Sequence, residues 1–284
     1  MTFLNTHLMT VIVYIAVISQ IFTISIIFAN KWYKRKTFLL EEYSPENYPN
    51  LYVQSSATEH KRMKFRRIAD RTIASLSFVL VLFFYLSQTA LETVASSILI
   101  IAAIQLVPWA LSRHWSKGND LLMAKNFPST KRKSSFQNRI ITDFVSPPKL
   151  VTAVLSYVFT VMFAVYIFIE QVWGEQSSKA LLLILINTLM VSYLAWLLFN
   201  SLYGKKKDNF ISSDDRLNLI AGKCQEIAAY LTMYSAFIFG ICLIKTFDLS
   251  QVYISVLAGI FLQLIFVFSL SKTTEINYEV YKQD

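Results

Sequence analysis

The sequence predicts an all-α integral membrane protein of seven transmembrane helices, N-terminus outside and C-terminus inside. Three observations lead there. The chain of 284 residues is 55% hydrophobic and only 16% charged, with mean hydropathy +0.45. Soluble domains carry about 25% charged residues, and a soluble chain this apolar would expose too much apolar surface. Seven apolar stretches follow one another, approximately 8–29, 72–89, 93–111, 150–169, 180–199, 227–244 and 250–270. Each is close to the roughly 20 residues a helical span needs. Finally, every Lys and Arg except Lys179 and Lys245 falls in alternate connecting segments, and basic residues are retained on the cytoplasmic side.

The first span has no basic region ahead of it, as a cleaved signal peptide would. Lys31, Lys34, Arg35 and Lys36 follow it instead, which predicts an uncleaved N-out anchor. Residues 73–111 need a division. One straight helix there would be about 58 Å long, nearly twice the hydrocarbon thickness. Gln88 and Glu92 sit near its middle, so a tight hairpin separates the second and third spans. Spans 150–169 and 180–199 make a second hairpin, and 227–244 and 250–270 a third. No span has an ionisable residue at its middle.

The charges then sort by side. Segment 30–71 carries ten Lys and Arg, 112–149 eight, 200–226 five, and 271–284 two. The formal net charge of +9 thus belongs to short loops, and it predicts a basic face against anionic inner-leaflet headgroups. No folded reading module accompanies it, so nucleic acid is not an expected partner. Trp32, Trp109, Trp115, Trp173 and Tyr203 lie near span ends, where an aromatic belt is expected; ordinary packing is the alternative. The expected organisation is a single polytopic membrane domain, 1–284.

The inner segments also show a period. Ser56 to Glu59, Ser134 to Gln137 and Ser212 to Asp215 each place a Ser three residues before an acid or amide. The three serines are 78 residues apart. Such a pair suits a capping box, in which each side chain bonds the other residue's backbone amide. Each box can start an amphipathic inner helix leading into a hairpin. Phe136, Ile140, Ile141 and Phe144 share one helical face, as do Leu217, Ile220, Cys224 and Ile227. Met63, Phe65, Ile68 and Ala69 fit such a face less well. Pro147 and Pro148 set the second copy apart. One anchor helix plus three inner-helix and hairpin units is one architecture consistent with this period. Chance spacing of common cap residues is the other explanation.

Motifs for chemistry are sparse. The three histidines, His7, His60 and His114, are far apart, and no HExxH, CxxC, GxSxG or P-loop pattern occurs. No catalytic, cofactor-binding or metal-binding residue is expected, and no cofactor. Cys224 and Cys242 read as reduced packing residues. Gln20, Gln105, Asn187 and Gln263 are the intramembrane polar residues. They suit interhelical hydrogen bonds, or else the lining of a path for a neutral or lipid-like solute.

The densest inner pattern runs from Arg139 to Pro148. Arg139 and Asp143 would be helical neighbours, and Ser146 with Pro147 would turn the chain into the next span. Arg139, Asp143, Phe144, Ser146 and Pro147 therefore form a candidate interaction loop, joined by Asp214, Asp215 and Arg216 at a helix start. A helix stop with a surface ion pair is the plainer alternative. Lys131-Arg132-Lys133 and Lys205-Lys206-Lys207 suit anionic headgroups.

The stretch Asp143-Phe144-Val145-Ser146-Pro147, with Tyr48-Pro49-Asn50-Leu51-Tyr52, resembles segments of uncharacterised bacterial multi-pass membrane proteins. That resemblance implies a cytoplasmic-membrane protein and no catalytic residue. The functional expectation is a non-enzymatic scaffold, assembly factor or regulator. It would work through its basic cytoplasmic loops, with the bilayer and a membrane or cytoplasmic protein as partners. The alternative is a carrier or channel for a neutral or lipid-like solute. An enzyme acting on lipid would have only Asp143, Asp214, Asp215 and His114 to draw on, and no constellation unites them.

Overall fold

The computed structural model describes residues 3–48, 52, 54–126, 140–204 and 213–271. All regular structure among them is helical, and seven helices are long and apolar enough to cross a bilayer. This arrangement is compatible with a multi-pass membrane protein. The chain forms two compact units, the first built mainly from residues 1–136 and the second from 137–204 and 218–272.

The first unit begins with one unbroken rod. Helix α1 (Phe3–Ile21) passes through a π-helical segment (Phe22–Phe28) into α2 (Ala29–Glu42). The helix of the first span therefore continues past 29. The basic stretch from Lys31 to Lys36 is helical, because nothing there breaks the backbone ladder and Lys and Arg are good helix formers. The inward stripe of the rod is Val13, Val17, Gln20, Ile24 and Phe28, all buried, spaced near 3.6 residues.

Helix α3 (Ser56–Leu86) turns through four residues into α4 (Leu91–Asn126), and both pack on the rod. The hairpin at Gln88 is therefore present. The first capping box is shifted, however. Ser55, not Ser56, stands at the cap position, its carbonyl accepting the amides of Thr58 and Glu59 at 2.9 and 3.2 Å. Its hydroxyl meets Thr58 Oγ1 at 3.0 Å instead of a backbone amide. The other two boxes include Ser134, Gln137 and Ser212, which lie outside the described residues. Amphipathic helix and span are one continuous helix in α3.

The second unit holds α5 (Pro147–Ile169), α6 (Ser178–Tyr203), α7 (Ser213–Thr246, from residue 218) and α8 (Gln251–Ser271). In α5 the buried stripe is Ala153, Thr160, Ala164 and Ile167, while Val154, Leu155, Phe159 and Met162 are exposed. Small residues face inward and large apolar ones outward. That inversion suits a helix surrounded by lipid, where small residues allow close approach between helices. In α6 the stripe is Ala180, Asn187, Leu194 and Leu202. Gly240 of α7 lets Leu257 of α8 come close; a Cβ there would meet Leu257 Cδ2 at 2.7 Å. On α7, Ile220, Cys224 and Ile227 are buried, as their spacing predicts, and Cys224 and Cys242 are both free and buried.

The three hairpin turns share one construction. Gln88, Gln171 and Asp248 have positive φ, at 50°, 46° and 50°. The amide of each bonds the carbonyl three residues back, and the next residue's amide bonds the carbonyl five back: Thr89 to Phe84, Val172 to Ile167 and Leu249 to Ile244. This is the Schellman stop, normally made with glycine. The middle turn is longer and includes a 3₁₀ segment, Gly174–Gln176.

Candidate functional site

Helix α3 carries an unusual inward stripe. Met63, Arg66, Asp70, Ala74, Ser77 and Val81 are all buried, at helical spacing. Phe65 and Ile68, the large apolar residues between them, are exposed. The face that packs on the rod is thus partly ionic. Arg66 is 3% exposed. Its Nε lies 3.5 Å from Asp70 Oδ2, an ion pair one helical turn apart. That Nε makes no hydrogen bond; the separation exceeds normal hydrogen-bond distances. The guanidinium lies over the Trp32 ring, 3.7 Å from its centroid.

Three more such stacks surround this one. Arg67 lies 4.3 Å from the Tyr33 ring centroid, Arg62 5.6 Å from Trp115, and Arg113 5.2 Å from Trp109. Each cation is held against an aromatic quadrupole, worth about 0.5–2 kcal/mol. Three of the chain's five tryptophans are therefore occupied by arginine in one corner. Phe28, Trp32, Met63, Trp109 and Trp115 line a cavity of about 350 Å³, together with Lys36, Arg62, Arg66 and Arg113. Among the described residues that line it, Glu59 is the one carboxylate, 3.4 Å from Arg62. The volume lies at the small end of the ligand-pocket range of about 300–1,000 Å³.

Deeper in the same unit lies an amide clamp. Gln20 Nε2 donates to the Ile98 carbonyl at 3.1 Å and to Gln105 Oε1 at 3.2 Å. Gln105 Nε2 donates to Ser25 Oγ at 2.9 Å. Gln20 and Gln105, candidates from the sequence, are thus brought together, and they bond across helices. Asn187 and Gln263 are not joined to them by any such bond. Asn187 is 1% exposed on α6, and neither amide atom has a partner among the described residues. Gln263 is half-buried on α8.

The candidate interaction loop differs from its expected form. Among the described residues, 140–146 do not form an amphipathic helix: Ile140 is extended, and Ile141–Asp143 is a single 3₁₀ turn. Arg139 lies outside the described residues, so the helical pairing of Arg139 with Asp143 has no support. Asp143 Oδ2 accepts the Ile140 amide at 3.1 Å, bracing the start of that 3₁₀ turn. The prolines also hold Ser146 extended, at φ −59° and ψ 138°. Phe144's carbonyl accepts Gln225 Nε2 at 3.2 Å. Val145 is fully buried with Leu202, Ile220, Cys224 and Ala228. Ser146 precedes α5, and Pro147 fills its first turn, where a missing amide costs nothing. The loop is an anchored corner of the second unit. Asp214, Asp215 and Arg216 fall in the first turn of α7; their side chains lie outside those described.

Among the described residues, no three His, Cys, Asp or Glu side chains converge as a metal site would require. The corner that sequence reasoning missed is the Arg and Trp cavity. Its signal was present as Met63, Arg66 and Asp70 at helical spacing, but a search for apolar faces passes over a charged one. The class defined so far is an all-helical protein with seven helices suited to a bilayer and a cationic, indole-lined cavity in its first unit. No protein-family model matches the chain, and neither a curated protein nor a solved structure does.

Proposed function

We propose that the chain is a multi-pass protein of the bacterial cytoplasmic membrane, N-out and C-in. In this reading it acts as a non-enzymatic scaffold, assembly factor or regulator through its basic inner face. One anchor helix and three hairpin units make up the architecture. The observation that carries the reading is the cationic corner of the first unit. It lies where the basic segments 30–71 and 112–149 meet the apolar helices, and arginine and indole side chains line it. The three matching turns support the repeat, although the turns are 83 and 77 residues apart and the serines 78.

Orientation and working face are tested together. Single cysteines at Glu175, in the middle hairpin turn, and at Lys205 are treated with a membrane-impermeant thiol reagent on intact cells. The expected result is labelling at Glu175 alone, with Lys205 reacting only after permeabilisation. The reverse pattern sinks the topology. Photocrosslinkers placed in 30–71, 112–149 and 200–226 then look for one recurrent protein partner, with the outer turns as control. Capture of none, or equal capture from the outer turns, removes the scaffold reading.

A carrier for a neutral or lipid-like solute is the second reading. It is favoured by Asn187, whose buried amide has no partner among the described residues. Loss of transport in an Asn187→Leu variant that still inserts would promote it.

A further inference from the structure

We infer that the cavity of the first unit is a binding site for the phosphate group of an anionic phosphate ester. Four cationic side chains line it, and among the described lining residues the one carboxylate lies beside Arg62. Arg66 is nearly enclosed, and Asp70, its counterion among the described residues, sits at 3.5 Å without hydrogen bonding its Nε. A buried guanidinium left this incompletely paired costs several kcal/mol unless further acceptors reach it. A phosphate oxygen supplies them.

The composition points to phosphate in preference to a carboxylate. Guanidinium forks suit a group whose several oxygens can be bonded in pairs, and three forks converge here with one ammonium. The cation–π stacks fix the arginines before any ligand arrives, so less side-chain entropy is lost on binding. The surroundings point to where the ester comes from. Phe65 and Ile68 of α3 and Val107 and Leu111 of α4 are exposed apolar side chains on the helices that form the cavity. They give an acyl chain a surface to follow while its headgroup phosphate enters the cavity. A small soluble phosphate ester satisfies the same cationic groups without those contacts.

The site lies within one unit, so its geometry holds whichever way the helices face. Only a lipid source at the inner leaflet rests on the inner-face reading above. The two fail separately, because thiol labelling tests orientation and a titration tests the site.

The full chain in a neutral detergent is titrated with three probes: dihexanoyl phosphatidylglycerol, glycerol 3-phosphate and dihexanoyl phosphatidylcholine. Tryptophan fluorescence is the readout, since Trp32, Trp109 and Trp115 line the cavity. We expect a saturable change with phosphatidylglycerol and little with phosphatidylcholine. Lys36 and Arg113 are exposed, so Lys36→Gln and Arg113→Gln should fold. An unchanged tryptophan-fluorescence melting midpoint verifies that. Each variant should weaken binding roughly fivefold, the effect of about one surface charge. Asp70→Asn, which removes Arg66's counterion, should tighten it. If glycerol 3-phosphate saturates as tightly, the source is a soluble ester; if only phosphatidylglycerol does, it is a headgroup. Either outcome upholds a phosphate site. Failure of both to saturate overturns it, as does an equal response to phosphatidylcholine or a response that both charge variants leave unchanged.

Discussion

Both units bury polar side chains on inward helix stripes, and they treat them differently. In the first unit, Gln20, Gln105 and Ser25 bond across helices, and Arg66 is paired with Asp70 and stacked on Trp32. In the second, Thr160 reaches the Ser235 carbonyl at 3.0 Å and Tyr157 meets Thr188 at 3.1 Å. There Asn187 and the Ser235 hydroxyl are buried without partners among the described residues, as Gln20 Oε1 and Arg66 Nε are in the first. One cluster of its interior sets Ala164 and Ala180 against Phe163, Phe237 and Phe261. Both ion pairs among the described residues lie in the first unit. A structure that invests ion pairs and amides in one corner makes that corner the more constrained place to hold a ligand.

The largest way to break this contrast is Asp70→Asn. It leaves Arg66 buried with no counterion, at a cost of about 3–5 kcal/mol when one partner of a buried pair is removed. Thermal unfolding in neutral detergent should show a clearly lowered midpoint by tryptophan fluorescence. An unchanged midpoint would mean that the cation–π contact with Trp32 alone satisfies Arg66. A second measurement separates the units: Cys224 and Cys242 both lie in the second, so a thiol dye reports opening there. Dye uptake at unchanged temperature, with an early tryptophan transition, would show that the units melt separately.

Gln105→Leu comes next. It removes the bonds to Gln20 and Ser25 while Gln20 keeps the Ile98 carbonyl. Interhelical bonds of this kind are worth roughly 0.6–2 kcal/mol each, so a loss of about 1–2 kcal/mol is expected in the same melt. Asn187→Leu should do the opposite. Replacing a buried amide that has no partners by an apolar group of similar size removes a desolvation cost of about 1–3 kcal/mol, and part of that should appear as a gain. Destabilisation by Asn187→Leu would show that its amide is satisfied after all, and the contrast between the units would shrink.

The helices were legible because apolar length is a strong signal. All seven stretches became helices, and the pause became a turn at Gln88, with Glu92 in the first turn of α4. Helix ends were less legible. The rod continues past residue 29 to Glu42 because charge does not stop a helix, while apolar counting stops where charge begins. The inner segment at 140–146 was misread for the opposite reason. Ile140, Ile141 and Phe144 have helical spacing, but Asp143 and the two prolines decide the backbone locally. The cavity was illegible as a site because its parts come from three helices, with Trp32, Arg66 and Arg113 far apart in sequence. Three of the tryptophans that read as an interfacial belt, Trp32, Trp109 and Trp115, also carry stacked arginines.

The smallest predicted effect concerns what the units share. Gln88 ends a helix in the first unit and Gln171 one in the second, both exposed and both left-handed. An L-residue in that conformation carries a cost of roughly 1–2 kcal/mol that glycine escapes. Glycine also loses more backbone entropy on folding, which offsets part of the gain. Gln88→Gly and Gln171→Gly should therefore each stabilise by about 0.5–1 kcal/mol net. The two gains should be equal, because the Schellman stop is closed by bonds within each turn and owes nothing to the interior behind it. Tryptophan and thiol-dye melts together can read both. Equal gains would place the equivalence of the hairpins in their turns, beneath interiors that have diverged. A gain at one turn and a loss at the other would leave the repeat with only its serine spacing in support.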